Sequence, residues 1–234
     1  MSSEGISVEE LTQKRTPSEL LSWVKWKMDQ MGATDEGGRT LRLREGLAKQ
    51  LMEEVYPLAL FGWRRFGNTD QILMQPIIGN QSYDAIVTDL RSKPPCQSYV
   101  EITQSHEGES DYLRSLVLEQ RGIVPMHSPV IKRGTKKTGR QVSIPLKAVS
   151  ADEVAKKELE KIVDAAKRKA GKDYPINTSL IIVFDDGLFF QRAIDVNLDA
   201  FVNKYIRKLD LRFSTLNLVG WQKVLREFNL DKRI

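Results

Sequence analysis

The fold is decided by three short runs between residues 71 and 103, which read QILMQPII (71–78), SYDAIVTD (82–89) and SYVEIT (98–103). Each run is rich in β-branched or aromatic residues, and glycine, asparagine and proline occupy the gaps, which is typical of strands joined by turns. Because the connections are short, we expect the three strands to form an antiparallel meander.

Helical patterns precede this meander. Residues 16–19 (TPSE) have the composition of a capping box with proline at the first helical position, and they predict a helix that ends near residue 32. A second helix is predicted over residues 40–56, where leucine and valine recur at four-residue spacing. We expect the first sixteen residues to be poorly ordered or peripheral.

The second half of the chain alternates strands and helices. Residues 178–184 are almost entirely apolar, as in a strand buried on both faces. The other predicted elements are helices at 111–120, 151–170, 198–209 and 221–228, a strand at 215–219 and a hairpin within 129–144. This order predicts an α/β fold with a mixed central sheet flanked by helices, in which residues 1–39 form an N-terminal helical segment and residues 40–234 the main domain.

Composition excludes several classes of protein. Of the 234 residues, 41% are hydrophobic and 29% charged, and no apolar run approaches the length of a membrane span. A single cysteine, Cys96, and two histidines cannot build a disulfide framework or a Cys/His zinc site. The sequence also lacks a P-loop, a dinucleotide-binding glycine motif and a serine-hydrolase elbow. We therefore expect a soluble, cytoplasmic protein without a membrane partner.

The positive charge lies in the second half. Residues 1–100 contain 12 basic and 13 acidic side chains, whereas residues 101–234 contain 24 and 18, so the second half can attract a polyanion. Five cations fall on the predicted hairpin, where they are expected to follow a nucleic-acid backbone: Lys132, Arg133, Lys136, Lys137 and Arg140. A merely solvated hairpin is the alternative.

Two acids on neighbouring predicted strands are the candidates for chemistry. Asp84 lies near the start of the second meander strand and Glu101 in the middle of the third. Paired carboxylates suit Mg²⁺ or Mn²⁺, which leave the remaining coordination positions to water and substrate phosphate. We expect both acids to bind the metal, and Glu45 or Glu53 of the preceding helix to supply a third carboxylate.

This arrangement resembles the restriction-endonuclease-like, or PD-(D/E)xK, nuclease superfamily, over roughly residues 40–185. In that pattern a helix precedes a meander that carries Asp and then Asp/Glu-x-Lys, and a helix and a further strand follow. Here Asp84 corresponds to the Asp of Pro-Asp, and Glu101-Ile102-Thr103 to Glu-x-Lys. The resemblance implies a nuclease-like protein that binds nucleic acid, with DNA the preferred partner, and cleaves the phosphodiester bonds of DNA or RNA with Mg²⁺; the sequence leaves the choice between DNA and RNA open.

One departure from the pattern bears on catalysis. Thr103 occupies the lysine position and cannot carry positive charge, so Thr103 or Gln104 would orient water, and a Lys or Arg of a later helix would have to supply the cation. The cations of residues 167–172 are explained by the dipole of their own helix. Two alternatives stay open: a catalytically inactive nuclease-fold binding or regulatory protein, and an oligomeric structural protein whose acids form internal salt bridges.

Overall fold

The structure, a computed structural model, describes residues 5–134, 141–193 and 196–230, and these form a mixed six-stranded sheet with helices on both faces. The strands of this described part are β1 (Ile72–Pro76), β2 (Ala85–Asp89), β3 (Cys96–Gln104), β4 (Ile131–Arg133), β5 (Gln141–Ser143), β6 (Thr178–Phe184), β7 (Thr215–Gly220) and β8 (Leu225–Asn229). The sheet runs β1-β2-β3-β6-β7-β8, and β4 and β5 form a separate hairpin. The predicted α/β class with a mixed central sheet is confirmed.

The helices are α1 (Val8–Thr12), α2 (Pro17–Gly32), α3 (Asp35–Leu43), α4 (Leu47–Gln50), α5 (Tyr56–Phe66), α6 (Glu109–Arg121), α7 (Ala151–Lys169), α8 (Leu188–Arg192) and α9 (Leu198–Phe201). The described ranges also contain two π-helical segments, π1 (Leu51–Val55) between α4 and α5 and π2 (Val202–Ile206) directly after α9. The capping boxes predicted to start α2 and α7 are both present. Across the described ranges, no helix is both long and apolar enough to cross a membrane.

Strand directions follow from the connections. The short turns pair β1, β2 and β3 antiparallel, as the meander prediction requires. The long segment that contains α6, the hairpin and α7 returns the chain so that β6 pairs parallel with β3. β7 pairs parallel with β6, and β8 pairs antiparallel with β7 as the edge strand of the sheet.

The core consists of one apolar cluster on each face of the sheet. Helices α1, α2 and α5 cover one face, which receives Ile181 and Val183 of β6. Helix α7, π2 and their neighbours cover the other face, which receives Leu180 and Ile182. Because β6 is buried on both faces, its sequence is apolar without alternation, as predicted.

For residues 5–16, the part of this segment that the structure describes, the expectation of a poorly ordered or peripheral segment is wrong. Ile6 and Leu11 are buried in the same cluster as α2 and α5. Arg15 exchanges backbone hydrogen bonds of 3.0 and 2.8 Å with Met74 of β1. These contacts join residues that are far apart in the sequence. The local sequence pattern of the segment therefore does not predict them.

The helix predicted over residues 40–56 is not continuous. It is interrupted after α3, where Arg44 adopts a left-handed conformation with φ of 54° and Gly46 a φ of 53°. The chain then resumes as α4 and widens into π1. The Arg44 guanidinium donates to Glu53 Oε1 at 3.0 Å and to Gln104 Oε1 at 3.1 Å, and these contacts hold the interruption in place.

The short final helix predicted over residues 221–228 is also wrong, because a buried carboxylate turns the chain there. Asp186 is 0% exposed and accepts backbone N–H bonds of 2.6, 2.9 and 2.8 Å from Gln222, Lys223 and Val224. A Cβ on Gly220 would lie 2.2 Å from Asp186 Cγ, so this approach requires glycine. The turn lets residues 225–229 pair with β7 as β8.

We predict that Asp186→Ala lowers the free energy of unfolding by about 3–5 kcal/mol, because three buried N–H groups lose a charged acceptor. Urea denaturation measures this loss. The control, Asp173→Ala, removes an exposed acid and is expected to cost less than about 1 kcal/mol. Equal midpoints for the two variants would contradict the assignment.

Candidate functional site

The two acids named from the sequence lie opposite each other. Ala85 of β2 pairs with Val100 of β3, and the Asp84 N–H continues that ladder with a 2.8 Å bond to Val100 O. Asp84 therefore stands across from Glu101, and antiparallel neighbours in this relation share one face of the sheet. This is the face covered by α7, since Glu101 aligns with Leu180 of β6.

The site forms where β3 extends beyond β2. The paired register of β2 stops at Ala85, while β3 continues to Gln104 with β6 on its other side. The Ile102 N–H, which points to the vacated side, donates to Asp84 Oδ2 at 2.6 Å. The Asp84 side chain thus takes the place of a strand neighbour, and its position is fixed by the β3 backbone.

Glu101 is 8% exposed and forms an ion pair with Lys169, the last residue of α7. A lysine at a helix C-terminus is favoured by the helix dipole, and that alone explained the 167–172 cations at the level of sequence. The structure adds a specific partner, which lies 68 residues away along the chain. A helical lysine thus brings positive charge to the acids.

A third acid, Glu54, belongs to the same electrostatic group. Burial, followed by the charges of Asp84, Glu53 and Glu101, raises the pKa of Glu54 to about 7. Burial and the charge of Glu101 raise the pKa of Asp84 to about 6, against the opposing effects of the Ile102 N–H and Lys169. Lys49 near Glu54 and Lys169 near Asp84 therefore only partly offset the burial and mutual repulsion of these acids.

The third carboxylates expected from the sequence are engaged elsewhere. Glu45 follows α3 and forms a surface ion pair with Arg39 through bonds of 2.9 and 3.2 Å. Glu53 pairs with Arg44. Glu54 had one usable signal, since it lies three residues after buried Leu51 and four before buried Leu58, at the margin of the apolar stripe.

Tyr174 lies near enough to the two acids for their charges to affect its phenol. Burial, followed by the charges of Glu101 and Asp84, raises the pKa of its phenol to about 12. Its ring packs against Phe213 with centroids 4.2 Å apart. The phenol is therefore a neutral group at pH 7, held against Phe213.

Gln104 joins π1 to the end of α7. Its buried amide donates to Met52 O at 3.2 Å and to Glu53 O at 3.3 Å, and its backbone oxygen accepts from Arg168 Nη2 at 2.9 Å. These contacts, together with that from Arg44, occupy the amide, so this geometry favours a positioning role over the expected water-orienting one. Thr103, on the same face as Glu101, is half-buried.

The basic hairpin is described only at its base. Lys132 forms a 2.6 Å ion pair with Glu109 of α6, so its charge is partly compensated. Arg133 is exposed on β4. Lys136, Lys137 and Arg140 lie outside the described residues. The nucleic-acid-binding role expected for these five cations stays a prediction.

A separate cleft of about 780 Å³ opens between α6 and α7, beyond the end of β3. Two of its acids form ion pairs with nearby cations: Glu107 pairs with both Arg114 and Lys157, and Glu158 pairs with Lys161. Asp84 and Glu101 do not line it. We therefore place the candidate chemistry at the open edge of β3, where nearby cations only partly offset the repulsion between the acids.

The donor set at that edge suits a hard divalent cation through two protein ligands. Within the part of the chain that the structure describes, no three acid, histidine or cysteine side chains form a group that could hold a metal ion. Mg²⁺, however, is commonly held by one or two carboxylates, with water and phosphate completing its shell. Asp84 and Glu101 fit that requirement, and the mutual repulsion of the acids, Glu54 included, favours a cation.

We predict that Gln104→Leu lowers the free energy of unfolding by about 1–3 kcal/mol and speeds amide exchange in π1, because the Met52 and Glu53 carbonyl oxygens lose their donor. Urea denaturation and hydrogen exchange provide the two measurements. Gln97→Leu, an exposed change on the same strand, is the control. Unaltered exchange in residues 51–55 would contradict the positioning role.

We also predict that the chain, in EDTA, loses stability as the pH rises from about 5 to 7.5. The pKa values of Asp84 and Glu54 are raised above their ordinary values of 3.8 and 4.5, so the folded state holds protons that the unfolded state has released. Glu54→Gln should therefore raise Tm at pH 7.5 by about 2–4 °C and flatten the slope.

The control for that titration is Glu160→Gln, a change of an exposed acid on α7, which should leave the slope unchanged. Differential scanning calorimetry over the pH series makes the comparison. A wild-type stability that increases with pH over this window would be opposite in sign to the expectation.

Comparison of the chain with protein-family models, with curated proteins and with solved structures finds no match. The functional conclusion consequently depends on the chemistry of Asp84, Glu101, Lys169 and the residues that hold them.

Proposed function

We propose that this chain is a metal-dependent phosphodiesterase of the restriction-endonuclease-like type, acting on nucleic acid. The observation that carries the proposal is the placement of Asp84 opposite Glu101, with the Lys169 ammonium in contact with Glu101. Two carboxylates and one cation at an open strand edge match what hydrolysis of a phosphodiester needs: ligands for a divalent ion and charge for the phosphate.

The order of elements supports the proposal. A helix precedes the β1-β2-β3 meander, and α6 follows it, as in the superfamily pattern described above. This chain then inserts the β4-β5 hairpin and α7 before the parallel strand β6. The insertion has a chemical consequence, because α7 supplies the lysine that the third strand lacks at Thr103.

The residues have distinct roles in the proposed reaction. Asp84 and Glu101 would hold Mg²⁺, which supplies a Lewis acid and an activated water when bound. In hydrolysis the water oxygen bonds to phosphorus, one ester P–O bond breaks, its electron pair leaves with the ester oxygen, and that oxygen takes up a proton from solvent while the water loses one. The Lys169 ammonium can donate a hydrogen bond to a non-bridging phosphate oxygen as negative charge grows there. The Ile102 N–H keeps Asp84 in position.

The ion pair between Lys169 and Glu101 is also compatible with a second candidate function. If Lys169 serves only to neutralise Glu101, the chain is a catalytically inactive nuclease-fold protein that binds nucleic acid. The two candidates differ in whether a divalent ion binds at Asp84 and Glu101 and whether removal of the lysine changes cleavage.

We predict a separation between metal binding and cleavage. Asp84→Asn and Glu101→Gln should each weaken Mn²⁺ binding by at least about 10-fold and slow nicking of DNA by about 100-fold or more. Lys169→Met should slow nicking similarly, yet bind Mn²⁺ at least as tightly, because it removes a cation that competes for Glu101. Isothermal titration calorimetry and gel assays of plasmid DNA measure the two effects.

Matched controls are available on the same elements. Asp89→Asn changes an acid at the other end of β2, which pairs with Arg91, and Lys167→Met changes an exposed lysine of α7. Both should behave as wild type. Nicking that survives the Asp84 and Glu101 changes and EDTA would exclude these acids as catalytic. Mn²⁺ binding without any nicking would favour the inactive candidate.

A further inference from the structure

Two tyrosines lie beside the acidic pair. Tyr83 directly precedes Asp84, and Tyr99 lies two positions before Glu101 on the same face of β3. The two ring centroids are 4.7 Å apart and the ring planes are inclined at 48°. An aromatic surface therefore borders the acids along both segments that carry them.

This aromatic pair is not part of the core. Both side chains are half-buried, and neither belongs to the apolar cluster on either face of the sheet. Within the described ranges, no hydrogen bond from a protein group holds either hydroxyl. Tyr174, by contrast, packs in the cluster beneath α7. The Tyr83 and Tyr99 rings thus contact each other while part of their surface stays open to solvent.

We propose that the Tyr83–Tyr99 pair stacks an unpaired base of single-stranded or frayed nucleic acid and places the adjoining phosphate at Asp84 and Glu101. The inference rests on the proposed function and specifies its substrate class. A ring with part of its surface open to solvent can stack with any base, since every base has a π-face. Bases inside a duplex are already stacked and must leave the helix before they can reach such a surface.

The spacing of the site agrees with this substrate. Two residues along a strand span about 6.6 Å, so Tyr99 and Glu101 are separated by roughly the length of one nucleotide. Lys169 contacts Glu101 and Arg168 contacts Gln104 O at the end of β3, so both cations lie toward the C-terminal end of β3 from Tyr99, where the phosphate would sit. The base and the phosphate of one nucleotide therefore have separate, adjacent partners.

The test compares single-stranded and duplex binding in tyrosine variants. Fluorescence anisotropy measures the Kd of a labelled oligothymidylate and of its duplex with oligoadenylate, with Ca²⁺ replacing Mg²⁺ so that the probe is not consumed. Tyr83→Leu and Tyr99→Leu should each weaken single-strand binding by about 5- to 150-fold, while duplex binding is unchanged. Tyr83→Phe and Tyr99→Phe keep the ring and should retain wild-type affinity.

The control is Tyr112→Leu, which changes an exposed tyrosine on α6. Thermal unfolding of each variant checks its fold, and rescue by phenylalanine keeps the test decisive where leucine disturbs β3. Single-strand affinity that survives both leucine changes overturns the proposal, as does an equal loss for duplex. Calorimetric Mn²⁺ binding, measured separately, reports on the acids, so failure of the metal site and failure of base stacking are distinguishable.

Discussion

One carboxylate that replaces a missing strand neighbour is the contact on which the site depends. β2 stops pairing at Ala85, and the Asp84 side chain accepts the Ile102 N–H that β3 would otherwise leave without a partner. A backbone donor buried in that position needs an acceptor, and this requirement holds an acid beside Glu101. Burial, followed by the charge of Glu101, raises the pKa of Asp84. A cation beside the two acids is therefore favourable. Lys169 offsets the repulsion between the two carboxylates, and the proposed divalent ion would offset it in the same way.

Features of the fold that depend on local chemistry are predictable from the sequence. The strands around residues 72–104, the capping boxes at Thr16 and Ser150 and the doubly buried β6 all follow from short patterns, and all are confirmed. The errors occur where a group that is distant in sequence determines the local structure. Asp186 accepts backbone hydrogen bonds that turn the chain before β8, and Arg15 forms backbone hydrogen bonds with β1. Neither partner is close in sequence, so propensity and periodicity carry no information about the outcome.

The candidate site shows the same division. Asp84 and Glu101 can be named because alternation and short turns place them on neighbouring strands. Glu54 has only a weak signal at the margin of an apolar stripe, because π1 departs from the regular helical period. Lys169 has none that points to Glu101, because α7 follows a long crossover whose docking the sequence does not encode locally. Gln104 illustrates a further limit. Its residue type suggests contact with water, whereas its contacts with Met52, Glu53 and Arg44 make it a structural link.

The long separation between Lys169 and Glu101 also affects how the site assembles. A chain made from its N-terminus completes the meander well before α7 exists, and closure of the 68-residue interval must then be achieved against loop entropy. Until α7 docks, the acids at the edge of β3 have no lysine beside them. Assembly of the site is therefore expected to be a late, non-local event in folding, and contacts of this kind slow folding more than local ones do.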